Sequence, residues 1–390
     1  METIIPLTPI DHIFTGTGSY PIEFIFNYQG VLDEARLRSS LEEALKQFPV
    51  IGSKLFKLNE NSYGLGIDNE GCHFEAVTSN DNYNDINKQH LFIDPVNSIE
   101  NEPLTRIRLT HTPSGSVLGV SISHAVGDGF SYFYFLTSWS KLFHGQPVFP
   151  PFHQRDILIP KKIEPGKLLT SRDILLDTGL FLGEKRNAFS RDSLKWEIHK
   201  FSNDELRSMV GQFQRSSESR LSVNDVVIAS LWKEYIPKWR KENDPGQTYI
   251  SCPVDFRRII PGFPKTYFGN AVSMATVSLD YQILNETGMP DLANLIRARV
   301  AGINPDTISK SLNSLELIRR QGGLKVNECI HVLHPTSGML VTNLSRLPVN
   351  EIVFNCGPPT GCNILTTAVR GAVILPDENG IEARVCCPLE

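Results

Sequence analysis

One junction constrains this chain more than any other feature. A strand-like run, Val117–Ser123, leads into His124-Ala125-Val126-Gly127-Asp128-Gly129 and then straight into an apolar, aromatic helix pattern from Phe130 to Phe143. A strand and a helix joined this closely must bury their apolar faces in one shared core, which calls for α/β layers. His124 falls at the strand end. A strand end facing an interface between lobes puts its side chain in a channel rather than a core. Asp128 is placed to cap the helix, and Gly129 to let the backbone turn tightly.

The rest of the chain repeats this strand–helix alternation. Residues 33–48 read as an amphipathic helix capped by Asp33, with Leu37, Leu41, Ala44, Leu45 and Phe48 on one face. Residues 104–111 and 116–123 read as strands of a hairpin turned by Pro113, Ser114 and Gly115. Gly145, Pro147, Pro150, Pro151, Pro160 and Pro165 then break regular structure. Beyond them a second series is expected. It has strands at 195–201, 248–254, 270–279, 338–344, 362–375 and 381–387, and helices at 203–214, 222–240, 290–302 and 306–320. Ser222 and Asp225 stand at capping-box spacing. The expected organisation is an N-terminal αβ lobe over 1–143, a crossover linker over 144–192 and a C-terminal αβ lobe over 193–390.

Bulk properties exclude several classes. A chain of 390 residues, 41% hydrophobic and 21% charged, has material for two or three domains with real cores. The net charge of −5 comes without a Lys/Arg run or an acidic tail, which argues against a nucleic-acid partner. There is no membrane-length apolar stretch. The start, METIIPLTPIDHIF, lacks a basic segment followed by an apolar block, so a cytoplasmic protein is expected. Seven cysteines, with Cys386 and Cys387 adjacent, fit reduced thiols. The glycosylation patterns at Asn285 and Asn343 read as chance.

The chemistry available is narrow. There is no Walker or dinucleotide fingerprint and no Gly-x-Ser-x-Gly elbow. His331 and His334 have Pro335 beside them and no third ligand, so no metal is expected. Phe130, Tyr132, Phe133, Tyr134 and Phe135 read as core before channel lining. A neutral imidazole at His124 suits a reaction that removes one proton from a nucleophile. Acyl transfer from a thioester is such a reaction, because the thiolate leaves without strong acid assistance. Taken alone, His-x-x-x-Asp-Gly reads as a strand–turn–helix junction with an incidental histidine before it reads as a catalytic motif, and only the rest of the sequence shifts that balance.

Further segments align with one family in order. They are Leu7-Thr8-Pro9-Ile10-Asp11, Phe48-Pro49-Val50-Ile51-Gly52, Val120 to Gly129, Ala229-Ser230-Leu231-Trp232, Pro253-Val254-Asp255-Phe256-Arg257 and Tyr267-Phe268-Gly269-Asn270. Along nearly its whole length the chain resembles the BAHD acyl-CoA-dependent acyltransferases, of chloramphenicol-acetyltransferase-like fold. The resemblance implies two similar αβ lobes with an active-site channel between them and His124 at its centre. Acyl-CoA enters as a co-substrate from one face and a small-molecule acceptor from the other, with no bound cofactor. It also implies a monomer of secondary metabolism. His124 would be the general base of direct transfer to a hydroxyl or amine. Asp128 would be a structural support, with Arg257 its partner, although a solvated charge beside Arg258 is the competing reading. Gly129 and Asn270 belong to the motifs. Thr342 is a candidate oxyanion donor, or a strand threonine with a locally satisfied hydroxyl.

The family's second signature, Asp-Phe-Gly-Trp-Gly, is eroded to Val353-Phe354-Asn355-Cys356-Gly357, and a common tryptophan is Leu344 here. This keeps open a carrier-protein-bound acyl donor, as in condensation-type relatives. A binding protein without turnover is the rival from another class.

Overall fold

The computed structural model describes residues 3–67, 70–163, 170–171, 174–175, 177–188, 190–191, 195–217, 219–241 and 246–388. Parts of the expected linker, including residues 164–169, lie outside them. Among the described residues the strands form four sheets. A five-stranded sheet runs in the order Gly361–Ile364, Ile22–Tyr28, Gly115–Ile122, Thr105–Thr112, Cys72–Thr78. A six-stranded sheet runs in the order Lys195–Ser202, Gly380–Cys387, Gly371–Asp377, Gly338–Asn343, Gln247–Asp255, Val272–Asp280. Two smaller sheets complete the set. One joins Thr3–Pro6, Ser62–Ile67 and Ser53–Asn59, and the other is built of two- and three-residue strands around Leu180–Leu182.

Local chemistry explains the elements. The helix Glu34–Gln47 is capped by Asp33, whose carboxylate accepts from the Arg36 N–H. It packs on the helix Gly129–Phe143, where the buried Trp139 donates Nε1–H to Ser40 Oγ at 3.0 Å. The helix Val223–Trp239 opens on the expected Ser222–Asp225 capping box. The 105–122 hairpin turns at Gly115, where φ is +143° and a Cβ would lie 2.1 Å from the Tyr28 carbonyl oxygen.

Two sequence expectations change. The single strand expected over 362–375 is two strands in different sheets, Gly361–Ile364 and Gly371–Asp377. Between them the Leu365 N–H donates to Glu23 O, Thr366 Oγ1 donates to Pro21 O, and Arg370 adopts φ +66°. The apolar pattern continues through the segment, but these contacts turn the chain from one sheet to the other. The eroded signature also has a visible role. Phe354 is buried against Tyr28, Trp139 and Phe143. Gly357, at φ +84°, closes the turn that presents it. The two positions retained from the signature are thus the ones that plug this segment into the helix Gly129–Phe143.

Candidate active site

The strand Gly115–Ile122 delivers His124 to the wall of a cavity of about 310 Å³. His124 is partly buried, and its ring stacks on Phe14 at 3.8 Å between centroids, 15° from parallel. Tyr20 meets it edge-on at 6.4 Å. Nδ1 is buried without a hydrogen-bond partner. Burial lowers the His124 pKa from its ordinary value. Its own carbonyl, Asp128, Asn270 and Asp11 push in the opposite direction without reversing the shift. The imidazole is therefore neutral near pH 7, as a base must be.

Asp128 caps the helix Gly129–Phe143 by accepting from the Ser131 N–H at 3.0 Å. Both its oxygens also face Arg257, at 2.8 and 3.0 Å, and Oδ2 accepts from the Ala271 N–H at 2.9 Å. Burial raises the Asp128 pKa, but the Arg257 guanidinium and these hydrogen bonds more than offset it and hold the carboxyl below its usual value. Arg257 is 3% exposed, while its neighbour Arg258 is exposed. The remaining Arg257 donors reach Tyr267 O, Gly269 O, Ser131 Oγ and Asp255. Asp128 thus points away from the ring it follows in sequence and is fully engaged in joining two distant segments.

The tight approach in the motif falls on Gly127 rather than Gly129. A Cβ on Gly127 would lie 2.7 Å from Ser131 Cβ. Gly129 has no left-handed φ, and a Cβ there would make only an ordinary contact with Leu344 Cδ2 at 3.5 Å. Gly129 lines the cavity, where a bare backbone leaves room.

Asn270 occupies the junction. Its Nδ2 donates to His124 O and to Asp11 Oδ1, both at 2.8 Å. Asp11 is itself held by Arg155 at 2.6 Å, with both side chains fully buried. Arg155 continues to the carbonyls of Ala125 at 3.2 Å and Val126 at 2.5 Å. Sequence reasoning missed Arg155, Phe14 and Tyr20. Arg155 lies among the prolines read as linker, on a single turn, Arg155–Leu158. The one available signal was Asp11 in the segment Leu7–Asp11, where a buried carboxylate requires a buried cation.

Thr342, on the strand Gly338–Asn343, lines the same cavity, as does Leu344. Of the aromatic run, Tyr132, Phe133 and Phe135 are core, whereas Phe130 lines the cavity and lies 4.3 Å beneath the Arg257 guanidinium. Ser121 and Ser123 do not line it. Ser123 Oγ pairs with Ser98 Oγ at 2.7 Å, and Ser121 Oγ accepts from the Val96 N–H. His331 and His334 are engaged separately, by Glu184 O and by Ser337.

This arrangement offers a neutral imidazole at a cavity wall, with a carboxylate–guanidinium pair behind it, and neither Ser121 nor Ser123 lines that wall. The family model described as the Transferase family matches residues 4–390. The chain belongs to this family, the BAHD acyltransferases. Enzymes of the family are acyl-CoA-dependent acyltransferases, and this chain is one of them. It is 25% identical over 361 residues to anthranilate N-benzoyltransferase protein 2 of Dianthus caryophyllus, covering 88% of this chain and 80% of that protein. It is 25% identical to a hydroxycinnamoyl-CoA:5-hydroxyanthranilate N-hydroxycinnamoyltransferase of Avena sativa, covering 89% and 82%. The crystal structure of F. graminearum TRI101 with ethyl coenzyme A superposes with a TM-score of 0.78 at 13% identity, covering 100% of this chain and 95% of that one. That likeness establishes the chloramphenicol-acetyltransferase-like fold. Among the described residues no helix is long and apolar enough to cross a membrane.

Proposed function

We propose that this BAHD enzyme transfers an acyl group from acyl-CoA directly to a hydroxyl or amine of a small molecule, with His124 as the general base. The neutral, half-buried His124 ring at the cavity wall is the observation that carries this reading. The acceptor oxygen or nitrogen attacks the thioester carbonyl carbon while Nε2 of His124 takes its proton. The C–S bond then breaks, and the proton leaves with the CoA thiol. No acyl-enzyme forms, because a covalent route needs an activated nucleophile within reach of the base: Ser121 and Ser123 are both spent away from the cavity, and Cys252, which does line it, is held as a neutral thiol by burial that pushes its pKa up to about 12.

Thr342 is the proposed oxyanion donor: it faces the cavity from a strand end, and no other residue bonds its hydroxyl among those described. Asp128, with Arg257, holds the turn rather than the substrate, Asn270 serves the same frame, and Gly129 leaves room at the cavity wall. The enzyme is proposed to act as a cytoplasmic monomer of secondary metabolism, with acyl-CoA as co-substrate and no resident cofactor. Because the two named relatives act with benzoyl or hydroxycinnamoyl groups on aromatic amines, those donors are the first to assay.

Thiol release should be measured with wild type and His124→Ala. The variant is expected to fall by about 10²–10⁴-fold with folding intact. A rate within a few-fold of wild type refutes His124 as base. Initial-rate lines at varied donor and acceptor should intersect. Parallel lines, or an acyl adduct formed with donor alone, refute direct transfer.

A further inference from the structure

A second cavity, of about 390 Å³, lies beyond the rings that hold His124. It shares Phe14, Tyr20 and Val332 with the His124 cavity. The aromatic pair in contact with the imidazole is thus a wall common to both spaces, and the second cavity lies against the rings that pack on the base. The walls combine those rings with Leu333 and Pro335, and no Asp or Glu lines it among the described residues. Its cationic side chain is Arg186.

Arg186 is an unusual neighbour for an apolar slot. Nη1 donates to the carbonyls of Ile13 at 2.7 Å and Ile330 at 3.2 Å, and Nη2 to that of Thr15 at 2.9 Å. Nε is buried without a partner. A guanidinium carries five N–H donors; with Nε closed off from water, one Nη2 hydrogen remains for a ligand. No carboxylate forms an ion pair with Arg186 among the described residues. Glu328, whose field reaches it, is instead bonded by Lys185 at 2.6 Å and by the Thr17 N–H at 2.9 Å. Burial accordingly pulls the Arg186 pKa below its ordinary value. Carbonyl dipoles orient this cation but do not neutralise it, and a buried charge without a counter-charge is costly. A ligand carboxylate would supply the missing counter-charge through a charge-assisted hydrogen bond from Nη2. Of the other polar groups there, His331 spends Nε2 on Glu184 O at 2.8 Å and supplies no counter-charge.

We propose that this second cavity receives the acceptor and that Arg186 anchors a carboxylate on it. The acceptor then combines a flat or apolar body, an acid group at the Arg186 end, and an amine or hydroxyl directed past Tyr20 to His124. The acyl thioester occupies the 310 Å³ cavity. This inference rests on the acyl-transfer reading for its direction, while the anion site itself is measurable without turnover.

The experiment uses matched pairs of aromatic acceptors that differ only as carboxylate and carboxamide: aminobenzoate with aminobenzamide, and the hydroxybenzoate and hydroxyphenylpropanoate pairs. Each is assayed by thiol release with benzoyl-CoA and hydroxycinnamoyl-CoA, and by calorimetric binding without donor. Wild type, Arg186→Lys and Arg186→Met are compared, with melting temperatures for all three. At least one acid should bind about 10–100-fold more tightly than its amide, the range expected of a charge-assisted hydrogen-bonded pair. Arg186→Met should raise KM for that acid by a similar factor beyond any change it shares with the amide, and so erase the preference. Arg186→Lys should fall between. The proposal is overturned if no acid is preferred over its amide. It is equally overturned if Arg186→Met weakens acid and amide alike, which is the signature of a carbonyl clasp that only supports the fold. Arg186-dependent binding of acids without thiol release from any donor would support the anion site and count against the acyl-transfer reading instead.

Discussion

Replacing Asp128 with Asn separates support from catalysis at the motif. The substitution keeps shape and one acceptor oxygen, so the cap to the Ser131 N–H at 3.0 Å can persist. The other position becomes an NH₂ group, facing Arg257 Nη1 and the Ala271 N–H, which approach Oδ2 at 2.8 and 2.9 Å. Donors then face donors. Arg257 keeps only Asp255, whose side chain is 47% exposed and at 3.1 Å, as counter-charge. Removing one partner of a buried pair costs about 3–5 kcal/mol. Unfolding entropy of about 2.1 cal/mol/K per residue amounts to roughly 0.8 kcal/mol/K for this chain if it unfolds cooperatively. The melting temperature should therefore drop by about 4–6 °C, which circular dichroism resolves, and turnover should fall with it. Asp128→Ala should lose about 1 kcal/mol more with the cap. Asp128→Asn combined with Arg257→Met should recover part of the loss by removing the orphaned charge. An Asp128→Asn protein with unchanged melting temperature and abolished turnover refutes this reasoning and gives Asp128 a direct role in the chemistry.

Other expectations follow from the same geometry. Because burial holds the His124 pKa below its ordinary value, kcat/KM should be level at neutral pH and fall only on acidification below about 6.5. A limb centred above pH 7 contradicts a neutral buried base. Thr342→Val keeps volume and removes the hydroxyl, so kcat should fall by about 10²-fold with stability unchanged; an unchanged kcat makes Thr342 a strand residue only. His12 is 1% exposed, bonded through Nδ1 to Thr8 O and through Nε2 to the Tyr63 N–H, and burial pushes its pKa down to about 4. Unfolded, it protonates near 6.5, so between about 6.5 and 4 the unfolded chain binds one proton more and stability falls with pH. Urea unfolding should show His12 contributing about 2 kcal/mol of instability at pH 5 relative to pH 7, absent in His12→Gln; parallel pH profiles for the two proteins would count against it.

What the sequence revealed and what it hid divide along separation in the chain. Caps written within three residues, Asp33, Asp128 and Ser222, were legible because the side chain and the N–H it bonds lie in one local pattern. The strand–turn–helix around His124 was legible for the same reason. Arg257 was placed against Asp128 only through the family resemblance, since no local pattern spans the 129 residues between them. Arg155 was hidden because prolines on both sides mark its segment as irregular, which is true of the backbone and says nothing about the side chain. The break at Arg370 was hidden because a run of β-formers reads the same whether one sheet or two receives it. Phe130 was hidden in an aromatic run in which three neighbours are core, since periodicity does not separate core from cavity lining.

The turn that carries His124 shows why such long-range contacts had to exist. Between the strand ending at Ile122 and the helix starting at Gly129 the backbone belongs to no regular element, and buried carbonyls there need partners. The carbonyl of His124 is taken by Asn270, and those of Ala125 and Val126 by Arg155. Asp11 ties these two donors together, with Asn270 on one oxygen and Arg155 on the other. Two residues further, Arg257 grips Asp128 itself. Three distant segments thus satisfy successive groups of one turn, and each bond that satisfies the backbone also fixes the position of the imidazole. The ring needs no side-chain anchor of its own: Phe14 sets its plane and the clasped turn sets its origin. The imidazole so placed stands in the cavity wall, and its buried Nδ1 makes no hydrogen bond.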